Sequence, residues 1–263
     1  MLLAIGMAII IAFAYLSART EPPERSNVLT ASTESRLETV SETTFSAFVA
    51  VTGELELPVM DFSSPMALHP PPDGWWHRQF LTRPPIELSF GRIAGRPALR
   101  LATDDSASML IRFIDLDLQR YPLLTWQWLI EDPVDSEVDE TTRAGDDHPA
   151  RLFLRFRHDD SESRALEIIW GNELGAGDTK FIDGFPHYVA NGGDANLGRW
   201  QDEEVDLLAL YRNFWPQDSG SVRITDIGLF CDSDETGDDS VAWFAEVVLK
   251  QRLEIPGLSA PDD

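Results

Sequence analysis

Cysteine is almost missing from this chain. Cys231 stands alone, which excludes an intramolecular disulfide and a thiolate metal cage. With apolar neighbours, it reads as an inert buried thiol. Lysine is nearly as scarce: of 21 basic residues only Lys180 and Lys250 are lysines, against 45 acidic ones, for a net charge of −24. No basic stripe exists that could displace counterions from phosphates, so nucleic acid is excluded as a partner. An anionic membrane surface is excluded on the same ground. The five histidines, His69, His77, His148, His158 and His187, lack close metal-ligand spacing. No nucleophile elbow is present, and 45 acids make any choice of a hydrolytic carboxylate pair uninformative. These absences argue against an enzyme.

What is present begins with an apolar run. Leu2 to Leu16 carries no charged side chain and extends to Ala18 before Arg19. At about 1.5 Å per residue it reaches roughly 25 Å, a little short of a bilayer's hydrocarbon core. Residues 1–19 therefore read as a membrane anchor or signal helix. No basic stretch precedes the run, and Leu16-Ser17-Ala18 is a poor cleavage site. The retained anchor is the first expectation and a cleaved signal the alternative; either places the domain in the periplasm or outside the cell. Residues 20–46, rich in Ser, Thr and Glu after Pro22-Pro23, read as a flexible tether. Residues 257–263 read as a disordered tail.

Between them, residues 47–256 supply short β-type runs separated by Gly, Pro and Asp, the pattern of an antiparallel sandwich. Expected strands are Phe48–Leu57, Ile86–Phe90, Ala98–Ala102, Ser108–Ile114, Leu123–Ile130, Arg151–Arg157, Ala165–Trp170, His187–Ala190, Trp200–Val205, Val222–Cys231 and Val241–Leu249. No helices of ten to fifteen residues alternate with them, which argues against a doubly wound parallel sheet. Alternation puts Leu152, Leu154 and Phe156 inside, leaving Arg151, Arg155 and Arg157 on a wet or salt-bridged face. Trp126, Trp128 and Ile130 align in the same way. Leu207, Leu208, Tyr211, Phe214 and Trp215 instead fall on one helical stripe. Asp202, Glu203, Glu204 and Asp206 lie before it and Pro216 after it, so a helix of about three turns is expected there.

Four groups of residues invite a functional reading. Asp232, Asp234, Glu235, Asp238 and Asp239 follow an apolar strand end with no Lys or Arg among them. Such carboxylates repel and are kept together in open water or around a cation. Oxygen-only ligands at short spacing suit Ca²⁺, while the bland alternative is a solvated turn whose Asp side chains cap backbone N–H groups. Asp146 and Asp147, just ahead of Arg151, either pair with the arginines or join Asp232 and Asp234 in one metal or ligand site at the rim. Trp75 and Trp76 offer either a sugar-stacking platform or a plug at the sandwich end. Residues 131–140, with Glu131, Asp132, Asp135, Glu137, Asp139 and Glu140, read as a mobile charged loop, or as a dock for a basic partner.

An ordered series of motifs carries a resemblance. It runs through Ser106-Ala107-Ser108-Met109-Leu110, Tyr121-Pro122-Leu123-Leu124-Thr125-Trp126-Gln127-Trp128 and Gly145-Asp146-Asp147-His148-Pro149-Ala150-Arg151-Leu152. Ile168-Ile169-Trp170, Arg199-Trp200 with Glu204, Leu210-Tyr211-Arg212, and Ile227-Gly228-Leu229 with Asp232-Ser233-Asp234-Glu235-Thr236-Gly237 continue it. From about Leu57 to Leu249 the chain resembles a bacterial family, domain of unknown function 3047. The resemblance implies an exported jelly-roll sandwich similar to galactose-binding-like and carbohydrate-binding modules, and brings no established reaction. The acidic stretch between Glu131 and Arg143 and the anchor-like N-terminus depart from the family. The expectation is a non-catalytic domain, either an accessory subunit of a membrane protein complex or a carbohydrate-binding module. Asp232, Asp234, Asp146 and Asp147 are its candidate metal ligands; Trp75, Trp76 and Arg151 are its candidate ligand contacts.

Overall fold

A computed structural model describes residues 22, 23, 25, 27–30, 55–158 and 162–252, with backbone alone at 162. The expected N-terminal helix at 1–19, most of the tether and the tail lie outside the described residues. No described helix is long and apolar enough to cross a membrane.

Among the described residues thirteen strands and one α-helix follow in order: β1 (Glu56–Pro58), β2 (Trp75–Gln79), β3 (Glu87–Ile93), β4 (Arg96–Asp104), β5 (Ala107–Asp117), β6 (Leu123–Asp132), β7 (Arg151–His158), β8 (Glu162–Gly171), β9 (Thr179–Ile182), β10 (Phe185–Gly192), β11 (Gln201–Asp206), α1 (Leu207–Phe214), β12 (Val222–Asp232) and β13 (Asp239–Lys250). They form two sheets. The first runs β11-β6-β13-β4-β3, with β1 also on β13; the second runs β2-β5-β12-β7-β8-β10-β9. All pairs are antiparallel except β8 with β10, which is parallel, a departure from the all-antiparallel expectation. The segment between them, including β9, returns the chain to the sheet's edge.

The two sheets close on one core. Trp126, Trp128 and Ile130 of β6 face Leu152, Leu154 and Phe156 of β7, all six at 1% exposure or less. Trp128 makes an edge contact with Trp170 of β8 at 5.7 Å, across the two layers. Apolar burial on this scale is worth about 25 cal/mol per Å² and dominates the stability. Gly228 in β12 has a steric reason: a Cβ there would meet Met109 Sδ at 2.6 Å.

Two local expectations change. The helix is eight residues long, shorter than the expected three turns, and the strand expected at Trp200–Val205 forms directly before it as β11, paired with β6. Asp206 then caps it by accepting from Ala209 N at 3.0 Å. Part of the expected tether also docks. Leu29 bridges Ile114 of β5, and Arg25 Nη2 donates to Asp226 Oδ1 at 2.9 Å.

Candidate functional site

Four strands of the second sheet each place one polar or charged residue on its outer face. β7 carries Arg151, β8 Glu167, β10 His187 and β9 Lys180; Glu167 pairs with His187, and His187 with Lys180, in register. All four are buried, at 5% exposure or less. Buried charge is tolerated only when paired and hydrogen-bonded. The segment after β6 supplies the partners. Lys180 Nζ donates to Asp146 Oδ1 at 2.6 Å and to Glu140 O at 2.5 Å, and lies 2.8 Å from His148 Nε2. An ammonium can only donate, so that imidazole nitrogen accepts while His148 Nδ1 donates to Trp170 O at 2.8 Å. His148 is therefore neutral. Burial, aided by Lys180 and Arg151 against Asp146, lowers its pKa to about 4.

Arg151 is the centre of the row. Its Nε donates to Glu167 Oε2 at 2.7 Å, its Nη1 to Asp232 Oδ2 at 2.6 Å, and its Nη2 to Asp146 Oδ2 at 3.2 Å. Burial opposes the Asp146 carboxylate, yet the Arg151 guanidinium outweighs it and holds the group well below the usual range. Arg151 thus has its guanidinium committed inside the protein. The expectation that it contacts a ligand gives way to an internal role.

The acidic stretch is corrected in the same way. Glu140, expected in a mobile loop, is buried. Its carboxylate accepts from Asn172 N at 3.0 Å, Glu173 N at 2.7 Å, and Leu174 N. Gly145 packs so closely that a Cβ would meet Val138 O at 2.7 Å. Residues 140–148 form a fitted cover over the charged row.

At the adjoining rim, Asp147, Asp232, Asp234 and Glu235 each offer a ligand atom within 4.8 Å of the others. Of the four expected metal ligands, Asp147, Asp232 and Asp234 meet there. Asp146 turns away to Lys180 and Arg151, because two cations outbid a shared acidic site. Glu235 is the member that sequence reasoning left out of the ligand set, although it lies inside the acidic turn. Asp147 Oδ2 accepts from Thr236 N and Oγ1, both at 2.6 Å. Arg83 Nε reaches Asp234 Oδ2 at 2.7 Å. Burial, a hydrogen bond to Asp147 and the surrounding acids push the Glu235 carboxyl up to about 10. Burial also raises Asp232 against the pull of Arg151, with Asp147 and Asp146 adding to the push. Four oxygen donors at this spacing fit the donor chemistry of Ca²⁺.

Trp75 and Trp76 are buried in β2 against β5, at 7% and 6% exposure. Arg112 lies 5.4 Å from the Trp75 ring. Buried rings leave no open face for a pyranose, so the platform reading is replaced by the plug.

An open cleft lies on the first sheet instead. It has a volume of about 500 Å³ and is lined from β11, β6, β13 and β1 and by Arg96 of β4. Thr125 and Gln127 of β6 pair with Glu204 and Asp202 of β11, setting these four on one outer face. Gln127 Nε2 donates to Asp202 Oδ1 at 2.5 Å, while Gln127 Oε1 has no hydrogen-bond partner among the described residues. The same holds for Arg96 Nη1, on a residue that lines the same cleft, whereas Trp126 turns its ring into the core on the opposite face of β6. Arg96 lies over the Trp200 ring at 4.9 Å. Trp200 packs on a second apolar cluster of Ala98, Leu129, Trp243 and Ala245. Burial raises the Glu203 carboxyl, against hydrogen bonds from Asn191 and Trp128. Sequence reading placed Asp202, Glu203 and Glu204 on the expected strand Trp200–Val205, ahead of the helix, and did not single out this cleft. The alternating exposure of an edge strand was the available signal.

No curated protein matches significantly. Among solved structures, the chain is similar to the family 30 carbohydrate-binding module of a cellulosomal cellulase of Clostridium thermocellum, with 12% identity, a TM-score of 0.41, and coverage of 75% of this chain and 98% of that one. It is also similar to an endoglucanase from Rhodothermus marinus, with 8% identity, a TM-score of 0.40, and coverage of 68% and 93%. For the family 11 xylanase from Neocallimastix patriciarum the values are 10%, 0.33, and 76% and 97%. A family model matches residues 73–248, which span both sheets, and the chain therefore belongs to the family described as protein of unknown function, DUF3047.

Proposed function

We propose that this protein is a non-catalytic carbohydrate-binding module held outside the cytosol, and that the cleft on its first sheet holds the ligand. The observation that carries this reading is a cleft of about 500 Å³ on the outer face of the first sheet, two of whose lining residues, Arg96 and Gln127, each keep a polar atom, Nη1 and Oε1, without a hydrogen-bond partner among the described residues. Buried polar groups in folded proteins are nearly always hydrogen-bonded, and those left open ask for a partner from outside. A donor and an acceptor beside several carboxylates suit a ligand whose hydroxyls both donate and accept. The accessory-subunit reading draws on the tether and the net charge and has no comparable feature among the described residues.

Calorimetric titration of the full chain with soluble neutral polysaccharides tests the proposal. Saturable binding that is lost in a Gln127→Ala, Arg96→Ala double variant is expected. Absence of binding across the panel would overturn it, and release of reducing ends during the titration would overturn the non-catalytic part.

The acidic rim is assigned a separate, structural role. The mutual approach of Asp147, Asp232, Asp234 and Glu235 supports a Ca²⁺ ion that neutralises them and ties the turn after β12 to the cover over β7.

A further inference from the structure

We propose that the cleft selects a carbohydrate bearing free amino groups, and that Glu246 is the residue that reads the ammonium. The inference rests on the carbohydrate-binding reading and narrows its ligand. Five acidic residues line the cleft, Glu56, Asp202, Glu203, Glu204 and Glu246, with the Glu203 carboxylate turned to Trp128 on the inner face, against two cations, Arg96 and Lys250. Three of the five are engaged: Glu56 with Lys250 at 3.3 Å, Asp202 with Gln127, and Glu203 with Trp128 and Asn191. The side chains of Glu204 and Glu246 have no hydrogen-bond or ion-pair partner among the described residues. A uronate, sulfate or phosphate group would meet like charge there, and a neutral sugar would leave both carboxylates unpaired. An ammonium would pair with one and turn a hydroxyl contact into a charge-assisted hydrogen bond.

An acidic protein has many solvated carboxylates, so the cleft's sign alone decides nothing. The placement of Glu246 does. β13 is the strand between β6 and β4, and its register with β6 shifts between Ala245 and Val248. Glu246 sits in that bulge at φ +52°, a left-handed conformation that glutamate adopts at a cost. A bulge re-aims a side chain, and backbone strain of this kind concentrates at binding and catalytic sites. Here it delivers an unpaired carboxylate into the cleft that Gln127 and Arg96 also line.

The test is a binding titration of the full chain with four β-1,4-linked oligomers of equal length: glucosamine with free amines, its N-acetylated form, glucose, and glucuronate. The amine oligomer should bind about tenfold more tightly than the N-acetylated and glucose oligomers, and glucuronate least well. Glu246→Gln should remove the preference, bringing the affinity for the amine oligomer down to that for the glucose oligomer. Glu137→Gln, an exposed carboxylate outside the cleft, should leave the preference intact. Equal affinity for amine, N-acetyl and glucose oligomers would overturn the inference and leave the cleft reading standing; no binding of any oligomer would overturn both. A preference that survives Glu246→Gln, or that falls as far in Glu137→Gln, would assign it to the protein's overall charge and overturn the role of Glu246.

Discussion

Lys180 Nζ and Asp146 Oδ1 lie 2.6 Å apart, joining the edge strand β9 to the cover formed by residues 140–148. The contact removes Asp146 from the acidic rim and adds it to the Arg151 row. With Arg151 buried among Asp146, Glu167 and Asp232, removing the guanidinium leaves three carboxylates without their shared partner.

Arg151→Met is therefore expected to cost about 3–5 kcal/mol, the range for breaking one side of a buried pair. Urea unfolding followed by tryptophan fluorescence measures it. A loss under about 1 kcal/mol, the value of an exposed pair, would contradict the burial described here.

His77 gives the acid response a definite sign. Its Nε2 lies 2.9 Å from Ser108 Oγ in the core, and burial, with His69 adding repulsion, lowers its pKa to about 4. The unfolded chain takes up this proton first, so the stability contributed by neutral His77 is present above the unfolded value of about 6.5. It falls away as the pH drops toward 4, by about 2–3 kcal/mol at the lower end. Thermal unfolding between pH 7 and 4 should show this slope, and His77→Gln should flatten it. An unchanged slope in that variant would assign the acid response to other groups.

What was legible in the sequence follows from period-two alternation. Trp126, Trp128, Leu152, Leu154 and Phe156 announced their inner faces because neighbours in sequence alternate across a pleat. Asp147 and Asp232 could be paired because each lies at or just before a strand end, where loops converge. Lys180, His148 and His187 could not. Lys180 and His148 are 32 residues apart in sequence, and they meet only through the register of β7 to β10, including one parallel pair that no local signal marks. The cleft was hidden for a related reason: Glu246 reaches it through a bulge, which breaks the alternation that a sequence reader relies on.

Addition of 1 mM CaCl₂ after dialysis against chelator should raise the midpoint of thermal unfolding, through preferential binding to the folded state. In Asp147→Asn the response should vanish even if that variant is already less stable through its lost contacts to Thr236. MgCl₂ should act more weakly, because the smaller ion keeps its waters and demands octahedral geometry. A wild-type midpoint indifferent to Ca²⁺ would return the rim to the alternative of capped, solvated carboxylates.

The strain at Glu246 can be read directly. A non-glycine residue in the left-handed region costs roughly 1–2 kcal/mol, and glycine removes that cost while adding about 0.5–1 kcal/mol of unfolded-state entropy. Glu246→Gly should consequently stabilise the fold by about 0.5–1 kcal/mol, with the bulge intact because Val247 O still accepts from Val59 N at 2.8 Å. Chemical denaturation of the two proteins compares them. Gain in stability together with weaker binding of the amine oligomer would show a strained carboxylate kept for its ligand. A loss of stability would mean that the glutamate side chain holds the bulge, and the strain argument would fall.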